Sequence, residues 1–132
     1  SMKDKSSVSK AFNKHFFDFL DDIQRLFPDN GDIGYAKSSF ETIKRLNTTA
    51  IIKAWYLQVF VPYSTVIEEG NIDFFINKDY SHDLAHLNKG GDIVKMIDKI
   101  RGPISKMDEV NKQHCTKYIQ NLNKLSYAYN TM

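Results

Sequence analysis

The stretch Val8–Phe27, VSKAFNKHFFDFLDDIQRLF, decides the fold class. Its apolar residues fall at Val8, Phe12, Phe16, Phe19, Leu20, Ile23, Leu26 and Phe27. Steps of three and four put these on one face of an α-helix, while Asp18, Asp21 and Asp22 lie largely on the other. A strand would show alternation, and there is none. Ser6 or Ser7 is placed to cap the start, and Pro28-Asp29-Asn30-Gly31 stops the helix.

The same period recurs outward from this segment. A second helix is predicted from about Asp32 to Leu46, burying Ile33, Ala36, Phe40 and Ile43, with Asn47-Thr48-Thr49 as a break and a fresh cap. A third, from about Thr49 to Phe60, is apolar nearly all round and reads as the central, most buried helix. Pro62 ends or kinks it. Ser64–Glu69 makes one or two turns closed by Gly70-Asn71, and Ile72, Phe74, Phe75 and Ile76 form a brief helix or an extended plug. Ser81–Leu87 is a further short helix, followed by Lys89-Gly90-Gly91 as a flexible joint. Stripes at Ile93, Ile97, Ile100, Ile104 and Met107, then at Tyr118, Ile119, Leu122, Leu125 and Tyr129, complete the chain. Gly102-Pro103 interrupts them, because proline removes an amide donor and disfavours helix at the residue before it. The expected fold is all-α: a compact single-domain bundle of about five to seven helices, with a Gly-Pro kink in the C-terminal part.

The chain has 132 residues, 42% hydrophobic and 26% charged, with 6 Gly and 3 Pro. That excludes a disordered or low-complexity chain and suits one domain with its own core. Ser1-Met2 reads as an expression scar before an initiator methionine, which gives a domain of 2–132. A single cysteine excludes an intrachain disulfide and fits a reducing compartment. No run approaches ~18 consecutive apolar residues, so no membrane span and no membrane partner are expected.

Net charge is +2, but it is unevenly spread. Between Glu68 and Asp83 five acids stand against one base; between Lys89 and Lys124 eight bases stand against four acids. The acidic part, with its flanking tyrosines, is a candidate partner-facing segment: Tyr63, Glu68, Glu69, Asp73, Lys78, Asp79 and Tyr80. Tyr56, Tyr63 and Tyr80 adjoin polar residues or helix breaks and suit surface anchors. The remaining aromatics are most economically core. In the basic part Lys95, Lys99, Lys106, Lys112 and Lys117 recur near helical spacing and can contact phosphates. Asp98, Asp108 and Glu109 interrupt that row, and no nucleic-acid module is matched.

Catalytic chemistry finds little support. His82-Asp83-Leu84-Ala85-His86 places two histidines four apart, on one helix face, as a zinc pair requires. Asp83 stands where a zinc hydrolase has Glu, one methylene too short for that general base, and a third ligand would have to come from His15 or His114. The His82-Asp83 dipeptide is also shared with metal-dependent phosphohydrolases of the HD kind. His114 and Cys115 are adjacent, about 100° apart on a helix, and so not preset as base and nucleophile. No GxSxG or phosphate-cradling glycine loop occurs, and Asp92 after Gly90-Gly91 reads as a helix cap. No cofactor is expected.

Two strings, FNKHFFDFLDDIQRLFPDN at Phe12–Asn30 and VPYSTVIEEGNIDFFINKDYSHDL at Val61–Leu84, resemble a group of small uncharacterised proteins encoded by large nucleocytoplasmic DNA viruses, the giant viruses. The likeness extends through YIQNLNKLSYAY at Tyr118–Tyr129. It implies a setting in the host cytoplasm or viral factory, with packaging in the virion open, and it carries over no site residues. Together these readings predict a non-enzymatic helical interaction module that binds a viral or host protein. The alternatives are a nucleic-acid accessory protein using the basic C-terminal helices, and a metal-dependent hydrolase centred on His82, Asp83 and His86.

Overall fold

The computed structural model describes residues 4–85 and 92–132. Among them are seven helices and no strand: α1 Lys5–Leu26, α2 Gly31–Leu46, α3 Ala50–Glu68, α4 Ile72–Asn77, α5 Ser81–Ala85, α6 Ile93–Ser105 and α7 Glu109–Asn130. The all-α bundle expected from the periodicity is what forms. The two 22-residue helices, α1 and α7, pack along each other. The helix α3 lies against both, α2 flanks α1 and α3, and α6 closes the side between α2 and α3. The short helices α4 and α5 lean on α6. Residues 86–91, with His86 and the expected Lys89-Gly90-Gly91 joint, lie outside the described residues.

The face read from Val8–Phe27 enters the core at Val8, Phe12, Phe16, Phe19, Leu20 and Ile23. At its centre Phe16 meets Phe12, Phe17, Phe40 and Trp55, with ring centroids 5.1–6.4 Å apart. Three of the four contacts are edge-to-face, the arrangement favoured by the ring quadrupoles. Burial of such a ring stabilises the fold by about 3–5 kcal/mol relative to alanine.

Helix ends depart from the expected caps in instructive ways. Asp4, not Ser6 or Ser7, caps α1: its Oδ1 accepts from the Ser7 N–H at 2.8 Å, because both serines already belong to the first turn. Asp92 makes no side-chain cap for α6. Gln58 of α3 does so from across the bundle, its Oε1 accepting from the Val94 N–H at 3.2 Å. The end of α3 is a Schellman closure, with Gly70 N–H on Ile67 O at 2.9 Å and Asn71 N–H on Val66 O at 3.2 Å. Gly70 takes φ +74°, a value that favours glycine.

Of the two outcomes expected at each proline, the break does not occur: both prolines lie within a helix. Tyr56–Phe60 of α3 forms a π turn, in which the Val61 N–H reaches Tyr56 O, and Pro62 follows it inside a helix that continues to Glu68. A widened turn displaces the carbonyls that a proline ring would strike, so α3 absorbs Pro62. It also keeps a strictly four-residue stripe (Ile51, Trp55, Val59, Tyr63, Ile67) turned inward, which about 3.6 residues per turn would let drift. Pro103 likewise sits within α6, with its ring buried in the bundle, and the break falls later, at Lys106–Asp108.

The helix α3 is not buried on all sides. At 19 residues and mean hydropathy 1.2 it has the length and composition, by those measures alone, of a membrane-crossing helix. Part of that apolar content is the core stripe; the rest faces outward.

Candidate functional site

The outward face of α3 is built by the π turn. Leu57 is 69% exposed and Val61 59%, and they stand one turn apart. Beside them Tyr56 stacks on Phe60 at 5.3 Å, and Phe60 stacks on Tyr127 of α7 at 5.0 Å. Tyr127 is itself half exposed. The stack ties α3 to α7 and leaves an apolar, aromatic surface open to solvent. Stepping on by three and four residues, the same face passes the exposed Thr65 to the exposed Glu68 and Glu69. It is thus apolar in its middle and acidic at its C-terminal end.

Sequence reasoning named Tyr56, Glu68 and Glu69 from this surface and missed Leu57, Phe60, Val61 and Tyr127. Leu57 and Phe60 read as core because the whole segment is apolar. Only the four-residue stripe, with its implied wide turn, distinguishes inward from outward residues there.

The other residues of the expected partner-facing segment divide in two. Asp73 and Asp79 are exposed, the latter capping α5 through the Ser81 N–H at 3.0 Å. Tyr63, Lys78 and Tyr80 instead join an internal latch. The Tyr63 hydroxyl donates to Asp83 Oδ2 at 3.0 Å, and Lys78 Nζ lies 3.1 Å from the same oxygen. Lys78 faces the rings of Tyr63 and Tyr80, both at 5.6 Å. Arg101 of α6 covers Tyr80 at 4.9 Å and donates to the Lys78 carbonyl. Tyr80 is only 2% exposed, and its hydroxyl donates to Phe75 O at 2.8 Å, so it is no surface anchor. Its backbone acceptor lets the whole phenol go inside.

Burial, and then the hydrogen bond to Asp83, hold the Tyr63 hydroxyl above its ordinary pKa. Burial also raises that of Tyr80. For Lys78 burial opposes the charge, but Asp83 and Tyr63 outweigh it and hold the ammonium above its usual range.

The metal alternative finds no centre among the described residues. Asp83 is engaged by Tyr63 and Lys78, His82 is exposed, and His86 lies outside the described residues. Among the described residues no three His, Cys, Asp or Glu side chains converge. Cys115 is buried, with Sγ 3.5 Å from Met107 Sδ, while the neighbouring His114 is exposed. Burial pushes that thiol up to about 11, which suits packing, not attack.

The basic residues do not form one row. Lys95 and Lys99 line a groove of about 200 Å³ between α2 and α6 that also holds Asp32 and Asp92. Lys106 ends α6; on α7 Lys112 lies 3.9 Å from Glu109, and Lys117 is exposed.

Comparison with family models, with curated proteins and with solved structures finds no match for the chain.

Proposed function

We propose that the chain is a non-enzymatic helical module that docks a protein partner on the outward face of α3. The observation that carries this reading is the exposed Leu57–Val61 pair beside the Tyr56–Phe60–Tyr127 stack. Rigid aromatics lose little side-chain entropy on binding, and well-packed aromatic anchors dominate interface energies. With Glu68 and Glu69 at one end, the face suits a protein that offers an apolar pocket rimmed by lysine or arginine. The encounter we envisage is in the host cytoplasm or viral factory, the setting implied by the resemblance to giant-virus chains. Nucleic acid is a weaker candidate, since acids interrupt the basic groove and no continuous basic row forms.

The test is affinity purification of the tagged chain from infected cells under nuclease, in parallel with Leu57→Lys/Val61→Lys and with Glu68→Lys/Glu69→Lys. A nuclease-resistant partner lost from the first variant and weakened in the second is expected. Partners retained by both variants, or lost on nuclease treatment of the wild type, would overturn it. So would a concentration-dependent dimer that only the first variant abolishes, because the face would then serve a second copy.

A further inference from the structure

A cleft of about 920 Å³ runs between α1 and α2 and lies apart from the outward face of α3. Its two ends differ in charge. At one end the acids are matched: Lys14 lies 2.8 Å from Asp18, and Lys37 lies 2.5 Å from Asp21 and 4.0 Å from Glu41. At the other end Lys5 and Lys10 come from the start of α1, and Lys44 and Arg45 from the end of α2. None of these four has a carboxylate within ion-pair distance among the described residues. Asp4, whose charge reaches Lys10, is engaged in capping α1.

Three of the four cations are held in place, Arg45 by donating to Thr42 Oγ1 at 3.2 Å. Lys5 lies over the Tyr129 ring at 5.0 Å and Lys44 over the Phe17 ring at 5.3 Å. Contacts of this kind restrain the lysine stems and so lower the cost of ordering them around a ligand. The floor of the cleft is polar. Asn13 Nδ2 donates to Thr48 O at 2.9 Å and Ser9 Oγ to the same oxygen at 3.3 Å, which fixes the turn before α3 against α1. Thr48 and Thr49 also line the cleft, and Thr49 puts no side-chain cap on α3.

We infer that this cleft binds a small molecule carrying two or more phosphoryl groups, with Lys5, Lys10, Lys44 and Arg45 as its anion-binding set. Four cations that line one cleft and make no ion pair leave donors available there, and a multivalent anion accepts charge-assisted hydrogen bonds from several of them at once. The volume is that of a pocket for a drug-sized ligand. An extended nucleic-acid backbone fits less well, because Asp18, Asp21 and Glu41 would meet its continuing phosphates at the far end.

The experiment is calorimetric titration of the full chain with inorganic tripolyphosphate at two salt concentrations. Its comparison variants are Lys44→Ala/Arg45→Ala, in the cleft, and Lys95→Ala/Lys99→Ala, outside it. All four side chains are exposed, so neither variant disturbs the core. Saturable binding is expected, weakened about tenfold or more by the cleft variant and within about twofold of wild type for the other. Absence of binding at millimolar tripolyphosphate, or equal weakening by both variants, would overturn the inference. Tighter binding of a short single-stranded oligonucleotide than of tripolyphosphate, lost in the cleft variant, would also overturn it and assign the cleft to nucleic acid.

Discussion

The Trp55 indole N–H donates to Asn123 Oδ1 at 3.1 Å in the interior of the bundle, joining α3 to α7 across 68 residues of chain. Trp55 is among the largest fully buried side chains, and Asn123 is one of few buried polar ones. An indole N–H taken from water needs an acceptor, and Asn123 supplies it. Asn123→Leu keeps the volume and removes the acceptor. It is expected to lower stability by about 1–3 kcal/mol, the cost of a buried donor left unmade. Urea unfolding followed by Trp55 fluorescence measures it directly; an unchanged midpoint would show that the bond contributes nothing.

The latch of Tyr63, Lys78, Tyr80 and Asp83 gives the fold an alkaline limit. Tyr63, Tyr80 and Lys78 all hold their protons more tightly folded than unfolded. Groups raised in the folded state contribute stability that is complete below their unfolded pKa, about 10, and is lost as pH rises through the folded values. The Tm should therefore begin to fall at about pH 9, where the Cys115 thiol, raised to about 11 in the fold, ionises in the unfolded chain, and fall more steeply above about pH 10. Asp83→Asn removes the carboxylate that both Tyr63 and Lys78 reach. It should cost about 1–2 kcal/mol at pH 7 and make the alkaline decline shallower without removing it, since burial still raises Tyr80 and Cys115. A decline of equal steepness in Asp83→Asn would locate the alkaline sensitivity elsewhere.

How much of this was legible in the sequence depends on the element. The α1 face was, since polar residues separate its apolar ones and leave a single stripe to choose. The α3 face was not, because Ile52, Ala54, Leu57 and Phe60 fill the gaps between Ile51, Trp55, Val59 and Ile67 and hide the direction of burial. The latch was misread for a different reason. Tyr80 stands among exposed, charged neighbours, and its acceptor is the carbonyl of Phe75, which no side-chain pattern announces. Gln58 as the cap of α6 is a tertiary contact between residues 36 apart, and local cap rules do not reach it.

Cys115 offers a readout of opening that needs no mutation. Its thiol is buried beside Met107, with the residue only 5% exposed, and is pushed up to about 11, so little thiolate forms at pH 8. Alkylation of the native chain should be slower than that of the urea-unfolded chain by about a hundredfold or more, with a rate that follows the fraction unfolded. Equal rates in the two states would mean that the α1–α7 seam near Met107 opens readily.

The π turn separates fold from docking in one experiment. A π turn is an α-helix with one residue inserted, so deleting a residue within it restores an α turn and leaves both flanks in phase. Leu57 is the residue to delete, being exposed and inside Tyr56–Phe60. Loss of the wide turn would leave Pro62 in an ordinary helix interior, at a cost of about 3 kcal/mol, so the deletion is paired with Pro62→Ala. That combination is expected to keep far-UV helicity and to stay within about 1 kcal/mol of Pro62→Ala alone in urea unfolding. Deleting Thr65 in the same background instead rotates Ile67 by about 100° out of the core, and several kcal/mol should be lost. The folded Leu57 deletion should then fail to hold the protein partner, since it lacks one half of the exposed Leu57–Val61 pair. If it folds and still binds, the α3 face is not the docking surface; if it unfolds like the Thr65 deletion, the phase of α3 is not set by the wide turn.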